Sequence, residues 1–296
     1  MTQVTITGVR GNLGWKLLKH LSVHPQVAKV IGLDLQTPST EQLQELQQLQ
    51  PTAKVEFTAC ELLDWNDRRW RDAIDSSDAV VHFAARNPFP EATWDEANAS
   101  LDMTLNVTLA AVDAGVKRVI FVSSNHVMGR YLDGPLAASV GPGELTTDRE
   151  HAVGTCWNAG ERAMDSTPYA VAKSAGERVC HALARRSGGQ TSFVCIRVGW
   201  CQPGENLPCT LSSSGTITQQ RQLPDTQNPA EIWFRNMWLS NRDFTQVFEK
   251  GIFADSAHWP EPCVVVNGMS ANSGMKWSLK EGREYLGYEP VDDVSR

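Results

Sequence analysis

Tyr169 and Lys173, four residues apart, are the side chains of this sequence best suited to take a proton from a hydroxyl group. A phenol has a reference pKa of about 10, but a neighbouring ammonium favours its ionised form and lets it act as a base. At this spacing in a helix, both side chains lie on one face. Ser124 follows an apolar run and could hold the reacting oxygen at the edge of a sheet, where open α/β folds bind ligands. We therefore predict that Ser124, Tyr169 and Lys173 are catalytic.

A second pattern lies near the N-terminus, where Gly8, Gly11 and Gly14 follow a β-branched run and precede leucines at helical spacing. Such a loop lets the backbone approach a pyrophosphate closely, and the N-terminus of the following helix attracts its charge. Asp34 ends the next apolar run and would bind ribose hydroxyls while repelling a 2′-phosphate. With the tyrosine and lysine, this loop predicts a nicotinamide-dependent oxidoreductase that prefers NAD. Arg10 lies inside the loop and could bind the 2′-phosphate of NADP, so NADP stays an alternative cofactor.

Apolar runs that alternate with helical patterns would position these residues. The runs at 27–33, 79–84, 118–122 and 191–198 are apolar almost throughout, as in strands that are buried on both sides. The stretch 94–114 between two of them has the pattern of a long helix. We therefore predict an α/β fold with a doubly wound parallel sheet and helices on both faces.

The chain changes character after residue 200. Residues 203–230 contain four prolines and a run of Ser, Thr and Gln, and we predict a long loop over 203–232. The predicted organisation is a nucleotide-binding domain over 1–200, which includes the catalytic residues. A small substrate-binding portion over 201–296 follows, and it is not an independent domain.

Composition excludes several classes of protein. The net charge of −7 argues against a nucleic-acid surface, and the apolar stretches are too short for a membrane span. The N-terminus lacks the basic and apolar regions of a signal peptide. Seven cysteines without a CxxC pair predict reduced thiols in a cytoplasmic protein, with no metal site.

Taken together, the motifs TGVRGNLG (7–14), VVHFAA (80–85), SSN (123–125) and YAVAK (169–173) resemble those of the extended short-chain dehydrogenase/reductase superfamily, the NAD-dependent epimerases and dehydratases. The segments 123–129, 238–244, 266–272 and 286–290 are similar to uronate dehydrogenases, which oxidise the C1 hydroxyl of a hexuronic acid to a lactone with NAD. The resemblance implies a Rossmann-type fold, NAD as cofactor and oxidation of a uronate-like sugar with Tyr169 as base. We also expect a small-molecule sugar as partner and a homo-oligomer, a dimer.

The same resemblance implies the binding residues. Cofactor contacts are expected from Gly8, Arg10, Gly11, Asn12, Leu13, Gly14, Asp34, Glu61, Leu62, Phe83, Ala84, Ala85, Tyr169 and Lys173. Substrate contacts are expected from Arg86, Asn87, Asn125, His126, Trp200 and Arg235.

The chain departs from the uronate dehydrogenase pattern on the substrate side. Trp200 stands where that family has a substrate-binding serine, and Arg86 with Asn87 replaces a small polar pair. Arg235 is the nearest candidate for the carboxylate-binding arginine, but its spacing is offset. Both arginines could be surface charges, and His126 could be structural.

Two other functions are compatible with these motifs. A sugar-nucleotide epimerase or dehydratase would keep its NAD bound, although the modest C-terminal portion leaves little room for a nucleotide diphosphate. A non-catalytic NAD sensor would not need the serine, tyrosine and lysine.

Overall fold

Seven strands, each parallel to its neighbours, form the central sheet of the computed structural model, which describes residues 1–87, 92–159, 162–211 and 228–295. The strand order is β3-β2-β1-β4-β5-β8-β9. The bounds are β1 Thr2–Thr7, β2 Val27–Asp34, β3 Lys54–Ala59, β4 Ala79–His82, β5 Arg118–Ser124, β8 Ser192–Val198 and β9 Cys263–Gly268. The doubly wound α/β fold predicted from the apolar runs is confirmed.

Eight helices connect and cover these strands in the described ranges. They are α1 Asn12–Ser22, α2 Thr40–Gln48, α3 Arg68–Asp75, α4 Trp94–Asp113, α5 Thr167–Arg186, α6 Pro229–Asn236, α7 Asn241–Phe253 and α8 Lys280–Leu286. No helix in the part of the chain that the structure describes is long and apolar enough to cross a membrane.

Two elements lie in segments for which the sequence predicted neither a helix nor a strand. A short antiparallel hairpin joins β6 Cys156–Ala159 to β7 Arg162–Asp165, in a region whose sequence has little periodicity. Helix α6 overlaps the end of the predicted 203–232 loop, so the loop prediction is wrong for residues 229–232. Residues 212–227 of that loop lie outside the described residues.

The C-terminal portion contributes to the main sheet, because β9 pairs with β8 along its whole length. Residues on both sides of position 200 therefore share one sheet. The different roles predicted for them, cofactor binding by 1–200 and substrate binding by 201–296, stay predictions.

Successive residues of β5 pack into different apolar clusters. Ile120 and Val122 belong to one buried cluster, while Val119 and Phe121 belong to the other. Because strand side chains alternate between faces, these clusters cover opposite faces of the sheet.

A buried ion pair anchors α5 to the sheet. Glu177 of α5 accepts two hydrogen bonds of 2.9 Å from Arg197 of β8, and both side chains are almost fully buried. Ser123 donates to the same carboxylate at 2.5 Å, and His151 lies 3.2 Å from it. Burial alone would raise the pKa of Glu177, but Arg197 outweighs it and holds that pKa at about 2. This network fixes α5, which carries Tyr169 and Lys173, against β5 and β8.

Glu177→Gln should lower the free energy of unfolding by about 3–5 kcal/mol, because it leaves Arg197 as a buried charge without a counter-ion. The pKa of Glu177 is lower in the folded than in the unfolded chain. Its contribution is therefore present above the unfolded pKa and lost as the pH falls towards about 2. Urea unfolding at neutral and at acid pH measures both effects.

Glu261→Gln is the matched control, because Glu261 pairs with Arg185, whose side chain is 67% exposed. We expect it to change stability by less than about 1 kcal/mol. Equal stabilities of the two variants at neutral pH would contradict the anchoring role of Glu177.

Candidate active site

A cavity of about 450 Å³ opens at the carboxyl edge of the sheet. Its walls come from the loop after β1, the ends of β4, β5 and β8, and helix α5. The lining residues are Gly8, Gly11, Asn12, Leu13, Gly14, Phe83, Ala85, Val122, Ser123, Ser124, Asn125, His126, Tyr169, Lys173, Val198, Gly199, Trp200, Cys201, Gln202 and Pro203. The structure thus brings the glycine loop together with all three predicted catalytic residues.

Two positions of the glycine loop, Gly8 and Gly14, have no space for a side chain. Gly8 has a φ of +68°, and a Cβ there would lie 2.8 Å from the Ala84 nitrogen. A Cβ on Gly14 would lie 2.4 Å from the Gly8 carbonyl oxygen. Helix α1 begins at this point with neither a side-chain cap nor an acidic residue in its first turn. Its N–H groups are therefore available to an anion, as a dinucleotide pyrophosphate requires.

Asp34 lies beside the glycine loop at the end of β2. Its carboxylate accepts a hydrogen bond of 2.9 Å from the Arg10 backbone nitrogen and one of 2.8 Å from that of Leu35. The Arg10 guanidinium donates to Gln36 at 2.8 Å. Two backbone N–H groups thus hold the carboxylate at the end of β2, and the Arg10 guanidinium is engaged by Gln36.

Two of the predicted binding residues pair with each other outside the cavity. Arg86 donates to the Glu61 carboxylate at 3.0 Å, and both side chains are more than one-third exposed. Leu62, beside Glu61, is buried. The pairing directs Arg86 towards Glu61, a predicted cofactor contact, instead of the catalytic residues.

Lys173 lies directly behind Tyr169 on α5. Its Nζ donates to the Val122 carbonyl at 2.7 Å and lies 5.6 Å from the centre of the Tyr169 ring. Burial lowers the pKa of Lys173 to about 8. Burial raises the pKa of Tyr169 to about 12, and a hydrogen bond with Ser124 opposes that rise. A further positive charge near the phenol would be needed to make it a base at neutral pH.

His126 is held as a neutral ring beside the catalytic residues. Its Nδ1 lies 2.8 Å from the Thr155 hydroxyl and 2.9 Å from that of Ser166. Burial lowers the pKa of His126 to about 4, so the ring carries no charge near neutral pH. It contacts the Tyr169 ring edge-on at 6.1 Å. Its neighbour Asn125 donates to the Val198 carbonyl, while the Asn125 Oδ1 is buried without a partner.

An aromatic wall continues from His126 towards Trp200. Trp157 stacks on His126 at 5.9 Å and contacts Phe234 at 4.7 Å. Phe234 in turn contacts Trp200 at 4.8 Å. The Trp200 Nε1 is buried and has no hydrogen-bond partner.

The segment after β8 contributes residues that the sequence prediction missed. Asn12 of α1 donates to the Cys201 carbonyl at 3.0 Å, and Lys16 donates to the Gln202 carbonyl at 2.6 Å. Gln202 is buried, and its Nε2 has no partner. The signal was available, because the segment directly follows an apolar strand at the ligand-binding edge.

Besides Arg86, two more of the predicted substrate residues lie outside the cavity lining. Arg235 on α6 donates to the Pro208 carbonyl at 2.9 Å, and Asn87 donates to Glu96 at 3.3 Å. Of the six predicted substrate residues, Asn125, His126 and Trp200 line the cavity.

Comparison with known proteins places this site in context. The model of the NAD dependent epimerase/dehydratase family matches residues 4–200. L-arabinose 1-dehydrogenase (NAD(P)(+)) of Haloferax volcanii is 29% identical over 99% of this chain and 98% of its own length. Uronate dehydrogenase of Pseudomonas syringae pv. tomato is 26% identical over 98% of this chain and 82% of its own length.

The fold also matches a solved structure. A mutated uronate dehydrogenase superposes with a TM-score of 0.67 at 22% identity, covering 99% of this chain and 83% of the other. At this identity, the likeness speaks for the fold alone.

Proposed function

Because the chain belongs to the NAD dependent epimerase/dehydratase family, we propose that it oxidises the C1 hydroxyl of a free sugar to a lactone. The observation that carries the proposal is the meeting of Ser124, Tyr169 and Lys173 with the glycine loop in one cavity. The names of the relatives, an L-arabinose 1-dehydrogenase and uronate dehydrogenases, support oxidation of a sugar.

Three of the expectations drawn from the sequence are confirmed: the extended short-chain dehydrogenase/reductase family, an enzyme of the NAD-dependent dehydrogenase type, and NAD as cofactor. The glycine loop fits this cofactor, since Gly8, Gly11 and Gly14 line the cavity and α1 begins there without a side-chain cap or an acidic residue. Gly11 and Leu13 line the same cavity, and Asp34 would bind the ribose. The individual binding roles stay proposals.

The catalytic roles follow from the geometry of the three side chains. NAD, when bound, supplies a hydride acceptor. Ser124 holds the C1 oxygen of the sugar by a hydrogen bond, and Tyr169 takes the proton from that oxygen. One of the three N–H donors of Lys173 is used by the Val122 carbonyl, which leaves two for other partners. The positive charge of Lys173 favours the phenolate form of Tyr169.

The sequence predicted a uronate-like sugar. A buried carboxylate needs a charged or hydrogen-bonding partner, and arginine is the usual one. Arg86 pairs with Glu61, Arg235 donates one N–H to Pro208, and neither lines the described cavity. The proposed substrate is therefore a free sugar with a C1 hydroxyl, and NADH formation with neutral and with acidic sugars decides whether it carries a carboxylate.

Accumulation of NADH separates this function from that of an epimerase. A dehydrogenase incubated with NAD and a free sugar releases reduced cofactor in proportion to the lactone formed. An epimerase or dehydratase that retains its NAD shows no net reduction and acts on sugar nucleotides. Absorbance of the reduced nicotinamide, measured with free sugars and with sugar nucleotides, distinguishes them, and turnover of sugar nucleotides alone would refute the proposal.

Asp34→Ala should narrow the preference for NAD over NADP, because it removes the carboxylate that would repel a 2′-phosphate. We expect the ratio of kcat/KM values for the two cofactors to fall about tenfold, mainly through the KM for NADP. Glu45→Ala, which removes a carboxylate that pairs with Lys19 away from the cavity, is the control. A wild-type enzyme that prefers NADP would contradict this role of Asp34.

A further inference from the structure

Lys16, in the second turn of α1, joins three separate parts of the chain. Its Nζ donates to the Gln202 carbonyl and to the Asn241 Oδ1, both at 2.6 Å, and to the Cys201 Sγ at 3.6 Å. An ammonium has three N–H donors, so each of them has an acceptor here. These contacts connect α1 with the first residue of α7 and with residues 201–206, which we call the wall segment.

The ammonium of Lys16 is held without a counter-ion. It forms no ion pair with any residue that the structure describes, and burial lowers its pKa. Taking an ammonium out of water costs free energy that an apolar side chain would not lose. The position therefore calls for a role in which the three hydrogen bonds are used.

The wall segment belongs to the cavity that would hold the cofactor. Cys201, Gln202 and Pro203 line this cavity together with the glycine loop. The Asn12 side chain, at the start of α1, donates to the Cys201 carbonyl at 3.0 Å. Since the pyrophosphate would bind at the N-terminus of α1, the distance between α1 and the wall segment sets the space available to it.

Asn241 holds the same segment from the side of α7. Besides accepting from Lys16, its Nδ2 donates to the Gly204 carbonyl at 2.9 Å and to the Glu205 carbonyl at 3.2 Å. Asn241 does not line the cavity. Any effect of Asn241 on the cofactor would therefore pass through the wall segment.

We propose that Lys16 is a positioning residue for NAD, which holds the wall segment against α1 and so keeps the pyrophosphate end of the cavity formed before the cofactor arrives. Without Lys16, NAD would have to order the segment on binding, and the cost of that ordering lowers its affinity. The proposal rests on the cofactor site of the function proposed above and is independent of the sugar.

Titration with NAD alone tests the proposal. Lys16→Met should raise the Kd for NAD about tenfold, because the methionine fills similar space without the three donors. Lys19→Met is the matched control, since it removes the same charge from the same helix but breaks only a pair with Glu45 away from the cavity. We expect its Kd to stay within about twofold of wild type.

The outcomes of this titration separate the two proposals. An unchanged Kd in a folded Lys16→Met protein, or an equal loss in Lys19→Met, overturns the positioning role and leaves the dehydrogenase function standing. A wild-type protein that binds no NAD overturns both.

Asn241→Ala gives a test that keeps the charge of Lys16, even if Lys16→Met does not fold. It should raise the Kd for NAD about fivefold, since it removes one acceptor of Lys16 and two anchors of the wall segment. The double variant should lose less than the product of the two single effects, because both residues act through one segment. An unchanged Kd in Asn241→Ala, or fully multiplicative losses, would contradict the proposal.

Hydrogen exchange followed by mass spectrometry locates the effect. Lys16→Met should speed the exchange of amides in the wall segment and leave β5 and β8 as protected as in wild type, and NAD should restore the lost protection. Faster exchange in the strands as well would mark a general loss of stability. Weaker NAD binding with unchanged exchange in the wall segment would show that Lys16 does not act through it, and either result overturns the positioning role.

Discussion

Tyr169→Phe should lower kcat by about two to four orders of magnitude, because it removes the proton acceptor and leaves the ring in place. The phenol lies at the cavity, next to Ser124 and in front of Lys173. NAD affinity should change little, since the phenylalanine ring preserves the shape of the site. Steady-state kinetics and a separate titration with NAD measure the two effects.

Tyr131→Phe provides the control for this change. Tyr131 is also buried and donates to the Glu150 carbonyl, but it does not line the cavity. We expect the kcat of Tyr131→Phe to stay within about threefold of wild type, since the loss of this hydrogen bond affects mainly the stability of the fold. A near-normal kcat in Tyr169→Phe would rule out this residue as the base.

The dependence of the rate on pH gives a second test of the same pair. Since the phenolate accepts the proton, kcat/KM should rise with pH as Tyr169 ionises. Burial raises the pKa of Tyr169 and lowers that of Lys173 to about 8. The ammonium is therefore lost as the pH rises through about 8, so kcat/KM should stop rising there and fall at higher pH. The alkaline rise should be absent from any residual activity of Tyr169→Phe.

Lys173→Met should lower kcat about a hundredfold or more and weaken NAD binding about tenfold or more. The first effect follows from the loss of the positive charge beside the phenol. The second follows from the loss of the N–H donors that would reach the cofactor. Stopped-flow turnover and a binding titration with NAD separate the two.

Lys276→Met is the matched control, because Lys276 also donates to a backbone carbonyl, that of Ala137, away from the cavity. It should retain wild-type kcat and NAD affinity. If Lys173→Met lost turnover but bound NAD normally, the lysine would act on the tyrosine alone.

Sequence reasoning reached the sheet and the positions of the catalytic residues because both depend on local patterns. Apolar runs predict buried parallel strands, and a tyrosine and lysine four residues apart share a helix face wherever the helix lies. The carboxyl ends of β1, β5 and β8 lie at one edge of the sheet in any such fold. Gly8, Ser124 and Trp200 follow these ends and are therefore expected at the same edge.

The partners of individual side chains could not be predicted from the sequence, because they depend on tertiary contacts. The contacts of Arg86 with Glu61 and of Arg235 with the Pro208 carbonyl could not be predicted, because the partners lie 25 and 27 residues away in the chain. The hairpin of β6 and β7 has only four residues per strand and alternates weakly, so its sequence carries little signal.

Isotope transfer tests the central claim most directly. The enzyme would be incubated with NAD and an aldose that carries deuterium at C1, and the reduced cofactor would be analysed by mass spectrometry. Oxidation at C1 predicts one deuterium in each NADH, together with the corresponding lactone. NADH without deuterium would place the oxidation at another carbon, and an enzyme that forms no NADH with free sugars would not be the dehydrogenase proposed.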